Sequence, residues 1–271
     1  MKNPKSASSK ARRLRFLPTP RDRAILEVLH THTRLTVDQI RRLFFRQQDG
    51  ALATSQAVTA RLRRLAALGL LEPLVVNAGH GGGPYAYGLR PGGQQMIGVR
   101  SRRSAPGPVW HHLEVAEFRL RLQEELEARR GRLVEWLGDP ELRALAHGRR
   151  GWPVPDGVAH WRLPQREGSF LLEWDRGTET LGVLAAKLSR YSTYWRARGH
   201  RVLVPGLGLR PRLLVVVQSP ERATRLVRWL AERRRELTTT TLIGVASNAF
   251  DDPLGAHWWR SDTAAAGTLY H

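Results

Sequence analysis

Apolar residues recur at helical spacing in three segments near the start of the chain. The segments begin at Thr19-Pro20, at Thr36 and at Thr54, residue types typical of helix starts. Their apolar positions are, in chain order, Ile25, Leu26, Val28 and Leu29; Val37, Ile40, Leu43 and Phe44; Val58, Leu62, Leu65 and Leu68. The last four residues form one helical stripe, and Gly69 follows it. The pattern therefore predicts three helices.

A predicted hairpin follows the third helix. Residues 70–76 and 85–89 have strand character, and the segment 77–84 is rich in glycine. No Gly-Lys-Ser/Thr sequence follows the run from Gly79 to Gly83, so we interpret this run as a flexible wing tip rather than a phosphate loop. Three helices and a hairpin predict a winged helix-turn-helix domain over residues 18–92.

Polar residues cover the side of the third helix opposite its apolar stripe. Their side chains suit base edges and phosphates in a major groove. The predicted DNA-binding residues are Ser55, Gln56, Thr59, Arg61, Arg63 and Arg64. A winged helix used only for protein contacts is the alternative interpretation, and the arginines favour DNA.

The charge of the chain supports a polyanionic partner. The chain has 44 Lys and Arg against 24 Asp and Glu, a net charge of +20 and a pI of about 11.5. Residues 1–107 contain 19 basic and 5 acidic side chains, and residues 108–271 contain 25 and 19. We therefore predict double-stranded DNA as the partner, and a flexible basic arm over residues 1–17, which are lysine- and arginine-rich and without an acid.

The second part of the chain predicts a different architecture. Residues 93–108 have the Gly, Pro, Ser and Arg content of a linker. Beyond it, residues 109–271 show the order helix, three strands, helix, strand, helix, strand. This order predicts an α/β sandwich around a mixed sheet, with a crossover helix between the third and fourth strands. The predicted fold class of the whole chain is α/β.

Composition removes several other classes of protein. Because cysteine is absent, disulfides, Cys-ligated zinc and thiol nucleophiles are excluded. We find no apolar run of the length that a membrane span requires and no signal-peptide pattern. The expectation is a cytoplasmic protein without a membrane partner.

Acidic residues lie on two consecutive predicted strands of the second domain, and they form a cluster of three carboxylates if the two strands are hairpin neighbours. Asp156 begins the second predicted strand, and Glu173 and Asp175 lie two apart on the third, so both point to one face. Three close carboxylates repel one another unless a cation lies among them, and oxygen ligands suit Mg²⁺ or Mn²⁺. Lys187 is the only lysine beyond residue 10, and on the next predicted helix it lies at the edge of the buried stripe. We therefore expect Lys187 to lean toward the sheet edge that carries the acids.

These motifs resemble the replication-relaxation family of plasmid and mobile-element proteins. The resemblance rests on Pro155-Asp156-Gly157, on Leu171-Leu172-Glu173-Trp174-Asp175-Arg176-Gly177-Thr178, and on Lys187, Leu188 and Tyr191, all behind a winged helix. The second domain is similar to the PD-(D/E)XK nucleases. The resemblance implies plasmid replication and DNA relaxation, with other replication proteins as further partners.

The nuclease resemblance also implies roles for individual residues. Asp156, Glu173 and Asp175 would hold Mg²⁺ or Mn²⁺, with the Trp174 carbonyl and Glu117 as additional ligands. Lys187 would act in catalysis of DNA cleavage or nicking. The sequence departs from the nuclease pattern where Asp175 stands in place of the usual lysine, which favours a non-catalytic replication initiator or transcriptional regulator.

A relaxase with a tyrosine nucleophile is the third hypothesis. Tyr191 and Tyr194 are its candidate nucleophiles. Such an enzyme needs a metal-binding histidine pair on a strand, whereas His30 and His32 lie at a predicted helix end. The DNA sequence recognised and the oligomeric state do not follow from the sequence.

Overall fold

The computed structural model describes residues 18–47, 49–76, 85–99, 108–149, 151–203, 211–232, 241–255, 257–261 and 266–267. It divides into two compact units, Met1–Leu113 and Glu114–His271. The predicted basic arm, the predicted wing tip and residues 100–107 of the predicted linker lie outside the described residues. No helix of the described ranges has the length and apolarity needed to cross a membrane.

The first unit contains three helices followed by a hairpin, in the order that the hydrophobic pattern predicts. Its elements are α1 (Pro20–His32), β1 (Arg34–Thr36), α2 (Val37–Phe44), α3 (Ser55–Ala67), β2 (Leu71–Val75), β3 (Tyr85–Leu89) and α4 (Pro91–Met96). The strands form an antiparallel sheet in the order β1-β3-β2. Strand β1 has three residues, which is too short for an alternating pattern to indicate it.

The predicted helix starts have a clear local cause. The side chain of Thr19 accepts a hydrogen bond from the Asp22 backbone, and the Asp22 carboxylate accepts one from the Thr19 backbone. Thr36 and Gln39 form the same reciprocal arrangement at α2. Each satisfies backbone N–H groups that the first turn leaves without helical partners. The helix ends are therefore encoded locally.

Helix α3 buries one side and exposes the other. Val58, Leu62 and Leu65 are completely buried. Leu68, which the pattern places on the same stripe, caps the helix and is only half-buried. The helix ends there because Gly69 adopts a φ of +76°, in the left-handed region that favours glycine.

The predicted linker contains a helix where the structure describes it. Pro91–Met96 forms α4, and Gly93 is buried so close to the Leu70 carbonyl that an added Cβ would clash with its oxygen. The first compact unit extends to Leu113, which is buried with Val76 and Ala86. The boundaries of the functional domains remain a prediction.

The second unit is an α/β sandwich, as predicted. Its elements are α5 (Val109–Ala128), which begins within the first unit's range, β4 (Arg132–Leu137), α6 (Asp139–Leu145), β5 (Gly157–Leu163), β6 (Arg166–Asp175), α7 (Leu181–Arg196), α8 (His200–Leu203), β7 (Arg212–Val217), α9 (Pro220–Glu232), β8 (Thr241–Val245), α10 (Ala246–Asp251), β9 (Trp258–Arg260) and β10 (Ala266–Gly267). The hydrophobic pattern does not predict α6, α8, α10, β9 or β10, which have two to seven residues.

One mixed sheet forms the centre of the second unit. Its strand order is β10-β9-β8-β7-β6-β5-β4. Strands β5 and β6 are antiparallel neighbours, and β6 and β7 are parallel with α7 between them in the chain. The two strands that carry the predicted acids are therefore hairpin neighbours, and the predicted crossover helix and α/β fold class are confirmed.

Apolar residues pack against both faces of this sheet. On one face Leu171 and Val215 contact the buried sides of α7 and α9. On the other face Phe170 and Leu172 pack against α5 and α10. Successive side chains of β6 point to opposite faces of the sheet, so each one packs against the layer of helices on its own face. Glu173 points to the same face as Leu171.

Candidate functional site

The exposed side of α3 contains most of the predicted DNA-binding residues. Ser55, Gln56, Arg63 and Arg64 are exposed, and Thr59 is half-buried. This exposure follows from the burial of Val58, Leu62 and Leu65 on the opposite side. Because polar groups and cations are presented together on one helix, this surface suits both base edges and phosphates.

Arg61 differs from the other predicted DNA-binding residues. Its Nε lies 2.8 Å from the Asp22 carboxylate, and its Nη2 donates to the same carboxylate. Asp22 is 1% exposed, and burial raises its pKa, but the bonds from Arg61 and Thr19 outweigh this effect and hold the pKa below its ordinary value. The structure therefore links Arg61 to the start of α1.

Asp156 and Glu173 lie close together, as predicted from their strands. Asp156 directly precedes β5, and its backbone N–H donates to the Leu172 carbonyl at 2.8 Å. Its carboxylate accepts a hydrogen bond of 2.7 Å from the Trp174 backbone N–H. Asp156 is thereby fixed beside the end of β6, where its negative charge raises the pKa of Glu173.

Glu173 is the centre of a buried polar group with Lys187 and Tyr191. One of its oxygens pairs with the Lys187 ammonium, and the other accepts a hydrogen bond from the Tyr191 hydroxyl. Burial raises the pKa of Glu173 to about 7, although Lys187 opposes the increase. Burial lowers the pKa of Lys187, but Glu173 and Asp156 raise it above its ordinary value. The predicted approach of Lys187 to the acids is observed.

The same geometry weighs against a tyrosine nucleophile. Burial and the neighbouring Glu173 carboxylate raise the pKa of Tyr191 well above its ordinary value, and burial raises the pKa of Tyr194. Both phenols are therefore neutral at physiological pH, whereas a nucleophile needs a base that removes its proton.

Asp175 forms its ion pair with a different side chain from the one that pairs with Glu173. Its carboxylate pairs with the Arg222 side chain of α9 and accepts a 3.0 Å hydrogen bond from the Gly177 N–H. Arg222 also donates to the Glu179 carbonyl at 2.7 Å. Asp175 and Arg222 are both buried. The predicted cluster is thus a close pair, Asp156 and Glu173, with Asp175 bound separately, and sequence reasoning does not identify Arg222.

Helix α5 contributes Glu114, not Glu117, to the end of β6. Glu114 accepts a 2.7 Å hydrogen bond from the Trp174 indole and pairs with Arg176. Glu117 pairs with Arg121 on the surface, and α5 packs on the opposite face from Glu173, so the structure does not bring Glu117 to the acids. A tryptophan that packs against a helix needs a hydrogen-bond acceptor for its indole N–H. Trp174 was therefore the sequence feature that could have pointed to Glu114 as that acceptor.

Two of the predicted carboxylates have the chemistry that Mg²⁺ or Mn²⁺ needs. Across the described ranges, no group of three or more His, Cys, Asp or Glu side chains is arranged to hold a metal ion. Mg²⁺, however, is often bound by one or two carboxylates together with substrate phosphates. Asp156 and Glu173 are two carboxylates of this kind, but Lys187 and Tyr191 contact both oxygens of Glu173. Trp174 contacts Asp156 through its N–H rather than its predicted carbonyl.

The fold and these motifs define an α/β protein of two compact units. The family model described as Replication-relaxation matches residues 26–206, and the chain belongs to this family. It is therefore a DNA-related protein of the replication and relaxation type. No curated protein matches the chain.

Solved structures of the restriction endonuclease FokI show a distant similarity. The DNA-bound form is 12% identical over 84% of this chain and 43% of FokI, with a TM-score of 0.28. The other FokI structure is 11% identical over 85% of this chain and 42% of FokI, with a TM-score of 0.29. The chain spans less than half the length of FokI, and similarity at this level supports no comparison of individual residues.

Proposed function

We propose that the chain binds duplex DNA through α3. The observation that carries this proposal is the exposure of Gln56 and Arg63 on the side of α3 opposite its buried stripe. Gln56 can bond bidentately to a base edge, and Arg63 can reach a base edge or a phosphate. The charge of residues 1–107, with 19 basic and 5 acidic side chains, supplies the attraction that is independent of DNA sequence.

The test is a binding titration of the full chain with duplex DNA at several salt concentrations. We expect Arg63→Gln to lower affinity for all sequences, and Gln56→Ala to change the preference among sequences more than the average affinity. Arg132→Gln is a control for the charge alone, because Arg132 is exposed on β4 of the second unit. Unchanged affinity and preference in both α3 variants would exclude α3 as the DNA-binding element.

Metal-dependent cleavage of DNA by the second unit is the second candidate function. The observation that favours it is the convergence of Asp156, Glu173 and Lys187 at the ends of two adjacent strands. Asp156 and Glu173 would hold Mg²⁺ or Mn²⁺, which when bound polarises a phosphate and activates water. Lys187, whose raised pKa keeps it protonated, would stabilise negative charge on the phosphate.

One set of ion pairs favours the non-catalytic alternative instead. Lys187 and Tyr191 already satisfy both oxygens of Glu173, and Arg222 neutralises Asp175. A buried acid with its own cation does not require a metal ion. Under this alternative the second unit serves as a folded platform in replication without hydrolysis.

Supercoiled plasmid with and without Mn²⁺ separates these two candidates. Cleavage predicts nicked product that Asp156→Asn abolishes while α3-dependent binding of DNA persists. It also predicts that Mn²⁺ raises the melting temperature of the parent and not of the Asp156→Asn variant. Glu117→Gln is the matched control, because Glu117 lies away from the two acids. Identical plasmid and melting curves with and without metal would support the non-catalytic alternative.

A further inference from the structure

The two helical layers of the second unit differ in charge. Helix α7 has three cations, Lys187, Arg190 and Arg196, and no acid. Helix α9, which packs beside α7, has three arginines against two glutamates. Helix α6, which adds Leu142 to the same layer, has one arginine and two acids, so the layer as a whole remains basic. The layer on the other face is acidic, because α5 has five glutamates against two arginines, and α10 adds Asp251. Charge is thus segregated across a single sheet.

The cations of the α7 and α9 layer fall into an inner and an outer set. Lys187 and Arg222 point inward and neutralise Glu173 and Asp175. The outer set comprises Arg190, Arg196, Arg225 and Arg228, all exposed. We call these four residues the basic face.

The acids available on these helices do not balance the basic face. Within α7 and α9 the only acidic residues are Glu221 and Glu232, whereas the basic face has four arginines. Arg198 and Arg201, exposed beyond the end of α7, increase the excess. On α5, in contrast, Arg121 pairs with Glu117. Like charges held close together on a folded surface repel one another, and a polyanion relieves this repulsion.

We propose that the basic face is a second DNA-binding surface, which contacts backbone phosphates of a duplex and is distinct from α3. Guanidinium groups match phosphate oxygens in a two-pronged geometry. Arg225 and Arg228 are three residues apart and therefore neighbours on one side of α9. Helix α9 contacts α7, which carries Arg190. Because these guanidinium groups bind phosphates, they add affinity without sequence preference.

A surface that binds phosphates has a defined salt signature. Each bound phosphate releases counterions, so the slope of log affinity against log salt changes by about 0.9 for each phosphate that a variant no longer binds. The triple variant Arg190→Gln, Arg225→Gln, Arg228→Gln should therefore reduce the slope by up to about 2.7. The full chain and a duplex of random sequence are used throughout.

The matched control removes three arginines from elsewhere on the second unit. The variant Arg121→Gln, Arg129→Gln, Arg132→Gln changes the net charge equally but leaves the basic face intact, and its slope should stay close to that of the parent. A second variant, Arg190→Lys, Arg225→Lys, Arg228→Lys, keeps the charge and should largely restore the slope. Circular dichroism and melting curves verify that each variant folds.

Three outcomes would overturn the proposal. The slope of the glutamine triple could equal that of the parent, or the control could show as large a reduction as the triple. The third outcome is that the triple loses binding to phosphatidylserine vesicles while its DNA binding is unchanged, which would assign the basic face to a lipid surface. Repeating the titration in an Arg63→Gln background separates this proposal from that of α3, because two independent surfaces should reduce the slope additively.

Discussion

Arg61 and Arg63 lie two residues apart on α3, and the structure predicts opposite consequences when each is changed to glutamine. Arg61 pairs with Asp22, 39 residues earlier in the chain, and a quarter of its side chain is exposed. Arg63 is exposed on the proposed DNA-binding side. The two substitutions remove the same charge from the same helix. They therefore separate an arginine that stabilises the domain from one that contacts DNA.

The expected loss of stability for Arg61→Gln follows from the burial of its partner. Breaking a fully buried ion pair costs about 3 to 5 kcal/mol, because one charge is left without compensation. Asp22 is 1% exposed but keeps its bonds from the Thr19 backbone and hydroxyl, and the Arg61 side chain is 26% exposed. We therefore expect a smaller loss, about 2 kcal/mol, since solvent screens part of the interaction. Arg63→Gln should change stability by less than about 0.5 kcal/mol.

Native-state hydrogen exchange of α1 and α3 measures the stability of this unit without assuming that the whole chain unfolds in one step. Salt titration of DNA binding supplies the second measurement. Arg63→Gln should reduce the salt slope by about 0.9, and Arg61→Gln should leave it unchanged under conditions where the variant is folded. The reasoning is refuted if Arg61→Gln lowers the slope as much as Arg63→Gln while exchange in α1 and α3 stays at the parental level.

Three further predictions concern the buried groups. Arg222→Met should destabilise the second unit by about 3 kcal/mol, because Asp175 is left buried without a cation. Adding Asp175→Asn should recover much of this loss of stability. A double variant no more stable than Arg222→Met would contradict the pairing of Asp175 with Arg222. The pKa of Glu173 is raised from 4.5 to about 7 in the folded chain, so its stabilising contribution is complete below pH 4.5 and is lost as pH rises through about 7. The stability of the parent relative to Glu173→Gln should therefore decrease by up to about 3 kcal/mol between about pH 4.5 and about pH 8, and denaturant titrations showing a pH-independent difference would contradict the raised pKa. Leu62 is completely buried on α3, so Leu62→Ala should lower the free energy of unfolding, measured by hydrogen exchange, by about 2 to 5 kcal/mol. Ala60 lies on the exposed side of the helix. A smaller loss of stability for Leu62→Ala than for Ala60→Gly would contradict the assignment of the buried stripe.

Local regularities in the sequence determined the elements and the faces of the elements. Thr19, Thr36 and Thr54 cap their own helices, because a capping side chain bonds to a backbone group only three residues away. The alternation along β6 placed Glu173 and Asp175 on one face for the same reason, since successive side chains of a strand point to opposite sides. These features depend on neighbours in the chain, and sequence reasoning could predict them.

Only the tertiary structure decided which polar and charged side chains pair with one another. Asp22 and Arg61 are 39 residues apart, Asp175 and Arg222 are 47 apart, and Trp174 and Glu114 are 60 apart. No periodicity relates such pairs, because their distance depends on how helices pack on a sheet. The sequence therefore predicted a cluster of three acids, whereas packing gave Glu173 and Asp175 separate cations. Lys187 was the exception, because the single lysine of an arginine-rich domain marked the position before its partner was known.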